Sequence, residues 1–314
     1  MPDWFIIFLD PNARWILLGC MLLGFSSGII GSFSYLRKQS LMGDALAHAA
    51  LPGVCIAFML SGSKSIGLFL IGAAAAGFIA TFGIGYITRH TRIKQDSALA
   101  IVLSVFFGLG TVLLTHIQHS GNSNQSGLDK FLFGQAASLV GDDVMVMSVT
   151  SLLLAGICTL LYKEFKLLSF DPGFARGLGY PVAFLDQLMM FLMVVVVVVG
   201  IQAVGIVLMA ALLITPAVSA RYWTEKLGVM VVLAGLFGAL SGMAGTFISA
   251  NGSNLPTGPL TVLASTAVFL VSLGFAPGRG LVSKLLIHRT ARRRYTQQLA
   301  STAGYELERK EKAL

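Results

Sequence analysis

Asp44 and His48 carry the strongest chemical signal in the sequence. They lie in SLMGDALAHAALPG, residues 40–53, four positions apart, so a helix places them on one face. Their surroundings are apolar, and an ionisable group near the start of an apolar helix is costly unless it faces a pathway or a partner. A carboxylate oxygen beside an imidazole nitrogen suits Mn(II), Fe(II) or Zn(II). It suits a potassium filter poorly, because such filters are cages of carbonyls. One Asp and one His are too few for a closed site, and a path does not want one, since the ion must leave. Two copies of the chain around an axis would supply two of each. The structural alternative is Asp44 as a helix N-cap and His48 facing the membrane interface. The remaining histidines say less. His90, in RHTRIKQD, reads as solvated. His116 and His119, in THIQHSG, sit at a helix end, either collecting metal at an entrance or lying at the interface. His288 belongs to the tail. Cys20, Cys55 and Cys158 fall in apolar runs without zinc-like spacing and read as packing residues.

A second unusual segment is KEFKLLSFDPGFARGLGYP, residues 163–181. It is too polar to span a membrane, yet it carries Phe165, Phe170 and Phe174. Asp171 followed by Pro172 reads as a helix start, with Asp as the cap and Pro at the first helical position. Arg176, Gly177 and Gly179 would end that helix. A short amphipathic helix of this kind either lies flat on lipid or fits a groove on a cytoplasmic partner.

The elements that must position these groups are membrane spans. Of 314 residues, 55% are hydrophobic and only 11% are charged. A soluble surface needs about 25% charged residues, and crossing a bilayer takes roughly 20 apolar residues. The spacing predicts spans over 15–36, 41–60, 65–87, 97–117, 143–162, 184–199, 203–219, 228–248 and 259–283. Nine crossings place all but Arg14, Lys64 and Lys130 of the 22 Lys and Arg on the cytoplasmic side. The N-terminus is then outside and the C-terminus inside. The run 187–219 is the weak point: it holds either two short spans with a tight outer turn near Gly200–Gln202, or one crossing with a broken segment. Eight spans is the alternative. This topology places Asp44 near the cytoplasmic end, unless the first span ends earlier, around 26–31, or the chain has fewer than nine crossings. GAAAAG (72–77) and GLFGALSGMAG (235–245) read as close helix–helix contacts. The N-terminal segment lacks a basic flank and does not read as a cleaved signal peptide. The net charge of +8 sits in short loops and in RTARRR (289–294), which suits lipid and topology rather than nucleic acid.

The sequence resembles the permease family of manganese, zinc and iron ABC importers, which are fed by metal-binding solute-binding proteins. Four stretches carry the resemblance: SLMGDALAHAALPG (40–53), LDKFLFGQAASLVGDD (128–143), FKLLSFDPGFARGLG (165–179) and VGIVLMAALLITPAVSA (204–220), with LPTGPLTVL (255–263) in agreement. The resemblance implies an all-α polytopic membrane protein of eight or nine transmembrane helices with a short cytoplasmic coupling helix. It implies a permease domain over 1–288 and a cytoplasmic tail over 289–314, basic and then mixed in charge. Asp44 and His48 map onto the family's ion path. Phe170, Asp171, Phe174, Ala175 and Gly179 map onto the helix that docks into the ATPase. The implied partners are cytoplasmic ATP-binding subunits, an extracytoplasmic metal-binding protein, and a second copy of this permease or a related one, with the permease itself in the lipid of the bacterial cytoplasmic membrane. No permanent cofactor is implied, only a transported divalent ion. The chain has no P-loop, so ATP hydrolysis belongs to a separate subunit and this subunit is not an enzyme.

The residues alone leave one rival, an ion-coupled secondary transporter with discontinuous helices at the midplane. A membrane enzyme finds no paired carboxylates or His cluster of metalloprotease spacing. On the metal-path reading, protonation removes the lone pair of His48, so transport should weaken at acid pH. The check is the pH profile of uptake in wild type against His48→Ala, where identical profiles contradict the reading.

Overall fold

The computed structural model describes residues 11–61, 66–119, 134, 139, 141–252, 255–277 and 279–283. The basic tail and most of the 128–140 stretch lie outside the described residues. Eleven helices follow one another among them: α1 (Pro11–Leu36), α2 (Met42–Ser61), α3 (Ile66–His90), α4 (Gln95–His119), α5 (Gly141–Leu160), α6 (Tyr162–Phe170), α7 (Pro172–Gly177), α8 (Val182–Val204), α9 (Ile206–Trp223), α10 (Leu227–Asn251) and α11 (Thr257–Phe275). Nine of these are long and apolar enough to cross a membrane; α6 and α7 are the two short ones. The expected spans are therefore all present. The last one stops at Phe275 rather than 283, because Ala276 precedes Pro277 and turns extended.

The ambiguous run resolves into two helices. Asp186, in the first turns of α8, pairs with Arg37 just after α1 and lies 4.0 Å from Arg89 at the end of α3. Arg221, near the end of α9, shares a cavity of about 340 Å³ with Tyr35 of α1. The start of α8 and the end of α9 thus lie at the same, basic end of the bundle. The turn between them falls at Gly205, later than the expected Gly200–Gln202. Its φ of +94° and ψ of 164° suit only glycine. The turn is buried, and Gly134 packs on it so closely that a β-carbon there would lie 2.4 Å from the Val204 carbonyl carbon. Protein, not lipid, surrounds this break in helical backbone, as the hydrocarbon environment requires.

Lipid-embedded helices gain no hydrophobic drive from packing on each other, so backbone contact decides the arrangement. A β-carbon on Gly24 would lie 2.1 Å from the Gly238 carbonyl oxygen, and one on Gly28 2.1 Å from that of Ala234. A β-carbon on Gly242 would meet the Cys20 carbonyl at 2.3 Å. These contacts seam α1 to α10. Gly53 and Gly72 join α2 to α3 in the same way. Both glycine-rich segments are therefore helix contacts, as their composition suggests. Gly238→Leu should cost about 3 kcal/mol or more through overpacking. Gly83→Leu, where nothing lies within 4 Å of the added carbon, should be tolerated. Thermal unfolding of the two variants in detergent checks the contrast.

Candidate functional site

The connection between α1 and α2 is recessed into the bundle. Ser34 Oγ donates to the Gln39 carbonyl at 2.9 Å, Gln39 N–H donates back to Ser34 O at 2.9 Å, and Met42 N–H reaches Gln39 O at 3.0 Å. Lys38 turns the chain in the left-handed region, with φ +58°. Gln39, Met42 and Gly43 are buried. A β-carbon on Gly43 would touch Leu213 Cδ2 at 3.0 Å, near the middle of α9. α2 therefore begins level with the middle of α9 rather than with its basic end.

That recess sets the depth of the polar pair. The ring of His48 meets Phe107 edge-on, with centroids 4.9 Å apart and planes at 80°. Phe107 is close to the midpoint of the 25-residue α4, so His48 lies roughly 18 Å from either end of that helix. Asp44 is one turn nearer the basic end. Sequence alone placed Asp44 near the cytoplasmic surface. The first span does not end early to correct this, since α1 runs unbroken to Leu36. The recessed turn supplies the depth.

The structure brings Asp44 and His48 together. Asp44 Oδ1 and His48 Nε2 are 3.5 Å apart, with the side chains 43% and 19% exposed. This is long for a charge-assisted hydrogen bond and right for sharing an ion. An ion about 2.1 Å from each atom would see them at roughly 115°. His48 Nδ1 is buried with no hydrogen-bond partner among the described residues, so the imidazole is not tied to a neighbouring carbonyl. Among the described residues no group of three or more His, Cys, Asp or Glu gathers anywhere. The pair offers one carboxylate and one imidazole nitrogen to a ligand, with Asp44 the more exposed of the two.

The other histidines stay apart from it. His116 follows Phe107 by nine positions, which is half a turn out of phase, so it faces away from His48. His119 Nδ1 lies 2.8 Å from the Thr115 carbonyl at the exposed end of α4. His90 stacks on Tyr86 at 4.3 Å. Phe107 carried no signal in the sequence, since an aromatic in a span is unremarkable. Asp186 did carry one: it is the only ionisable residue in α8.

The second candidate region is α7. Asp171 caps it, accepting from Phe174 N–H at 2.8 Å, with Pro172 in the first turn. Gly179, at φ +85°, closes it: Gly179 N–H donates to Arg176 O and Tyr180 N–H to Ala175 O, both at 3.1 Å. This is the paired C-terminal closure that a left-handed glycine permits. Ala175 is buried, while Phe170 and Phe174 are each 57% exposed. The doubly capped α7 thus holds Phe174, and the adjoining end of α6 holds Phe170, exposed at the basic end of the bundle.

Nine apolar helices of membrane-crossing length among the described residues define a multi-pass membrane protein. The chain belongs to the ABC 3 transport family, whose model matches residues 10–276. It is a multi-pass protein of the bacterial inner membrane. It is 53% identical over 296 residues to the manganese transport system membrane protein MntC of Bacillus subtilis (strain 168), covering 94% of this chain and 68% of that relative. The zinc transport system membrane protein TroC of Treponema pallidum (strain Nichols) is 44% identical over 279 residues, covering 89% of this chain and 94% of that one. Among solved structures, PsaBC from Streptococcus pneumoniae in complex with Fab superposes with a TM-score of 0.77 at 32% identity, covering 88% of this chain and 96% of that chain.

The cap at Asp171 is separable from the rest of the fold. Asp171→Ala should destabilise α7 by about 1 kcal/mol and speed amide exchange at Phe174. Asp171→Asn should preserve most of the protection.

Proposed function

We propose that this chain is the permease subunit of an ATP-binding-cassette importer that carries a divalent transition metal, Mn(II) or Zn(II), across the bacterial cytoplasmic membrane. The observation that carries this reading is the Asp44–His48 pair, 3.5 Å apart in the apolar helix α2, with the Asp44 side chain 43% exposed. The names of the relatives supply the two candidate metals, and Fe(II) shares the same ligand chemistry. A second permease, either another copy or a related chain, would face the open side of Asp44 and complete the coordination with its own pair. A metal-binding protein would deliver the ion at the end opposite the arginines.

The permease makes no chemical bond in this mechanism. Carboxylate and imidazole replace part of the hydration shell of the ion, and an incomplete set of protein ligands lets the ion move on. Separate ATP-binding subunits would close on ATP and pull on α7 and the end of α6 through Phe174 and Phe170. Asp171, Ala175 and Gly179 hold that helix in shape: the first and last cap it, and Ala175 seats it against the bundle.

The test is uptake of radiolabelled Mn(II) and Zn(II) by cells making the protein with its ATPase and its delivering protein. The variant Asp44→Ala/His48→Ala, at matched membrane abundance, should lose most of the uptake. Undiminished uptake would remove the Asp44–His48 path. A wild type that carries neither metal would contradict the proposed substrate.

A further inference from the structure

Asp186 joins three helices at the basic end of the bundle. Its Oδ1 accepts from Arg37 Nη2, and its Oδ2 lies 4.0 Å from Arg89 Nη2. Arg89 also donates to the Ala183 carbonyl at 3.3 Å. The other terminal nitrogen of Arg37 rests 3.6 Å from Met189 Sδ, so the guanidinium grips α8 at two points. The side chains of Arg37 and Asp186 are only 13% and 23% exposed. An apolar contact can slide, whereas separating a largely buried ion pair leaves a charge without its partner. The first turns of α8 and the end of α1 are therefore held to move as one body.

This joint sits between the two candidate regions. α8 is the helix that follows α7. α6, the helix that precedes α7, contributes Phe165, which is fully buried and packs edge-on against Phe33 at 5.6 Å. Phe33 and Arg37 are one turn apart. Both flanks of α7 thus hold the same last turn of α1. Beyond Arg37 the chain passes through the Lys38 turn, tied by the Ser34–Gln39 hydrogen bonds, straight into Met42, Gly43 and Asp44. No flexible linker intervenes.

We propose that Asp186 is a positioning residue that passes movement of α7 to the α1–α2 turn, and so to Asp44 and His48. Arg37 is its principal partner, and Arg89 brings the end of α3 along. The inference rests on the function proposed above and adds the route by which docking at α7 reaches the metal path.

The experiment uses the full transporter in liposomes, with its ATPase subunits and delivering protein, and reads Mn(II) or Zn(II) moved per ATP hydrolysed. Asp186→Asn should assemble and hydrolyse ATP within about twofold of wild type, while metal moved per ATP falls about tenfold. Asp186→Glu should recover most of the ratio. Arg37→Gln combined with Asp186→Asn should be no worse than the single change, because both act on one link. A wild-type ratio in Asp186→Asn overturns the link alone, and so does a proportional fall of transport and hydrolysis, which marks a merely structural residue. If Asp186→Asn does not assemble, the half-exposed Arg89→Gln decides: a ratio lowered about twofold or more supports the link, and an unchanged ratio overturns it. A wild type that moves neither metal overturns the proposed function and the link with it.

Discussion

Hydrocarbon offers no hydrogen bonds, so every polar group within the bilayer must find its partner inside the protein. Most of the buried hydroxyls here do so locally. Ser32, Ser219, Ser241, Thr246 and Ser272 each donate to the carbonyl one turn earlier in their own helix. Against that background the Asp44–His48 pair is one of a few incompletely satisfied polar groups among the described residues, with Ser27, Gln39, Glu164, Gln187 and Ser265. Its two heteroatoms are 3.5 Å apart, and one imidazole nitrogen is buried without a partner. On the function proposed above, a dehydrating cation between Asp44 Oδ1 and His48 Nε2 is what satisfies the pair in use.

The remaining architecture fixes where that pair sits. Glycine contacts seam α1 to α10 and α2 to α3 at backbone distance, which makes these helix pairs stiff. The α1–α2 turn buries Gln39 and Met42 while Lys38 and Leu41 stay exposed, and this short connection sets Gly43 against Leu213 near the middle of α9. At the basic end, α7 is capped at both termini and flanked by helices that contact the end of α1. A displacement there has a continuous, packed route inward. The route passes through Phe33, Phe165, Arg37 and Asp186, none of which touches the proposed ion position.

Much of this was legible in the sequence, for identifiable reasons. Span existence follows from long apolar runs, and the α7 helix follows from local chemistry: an Asp cap, a Pro in the first turn and a left-handed Gly. The pairing of Asp44 with His48 follows from helical periodicity. What depended on tertiary packing was not legible. The helix break settled at Gly205 rather than at Gly200–Gln202 because Gly134, distant in sequence, packs on the turn. The depth of Asp44 was misjudged because counting residues from a basic loop assumes that a span begins at the surface, whereas Gln39 and Met42 are buried. Asp186 went unread although an ionisable residue in so apolar a helix obeys the same logic that singled out Asp44. Its partners lie in α1 and α3, far away along the chain.

The most direct measurement of the central claim is pulsed electron paramagnetic resonance of Mn(II) trapped in the assembled transporter. Nitrogen modulation from a bound imidazole reports whether a histidine is a ligand. The account expects that signal in wild type and its disappearance in His48→Ala. Mn(II) held in the wild-type membrane path without nitrogen modulation, or with a signal unchanged in His48→Ala, would contradict it.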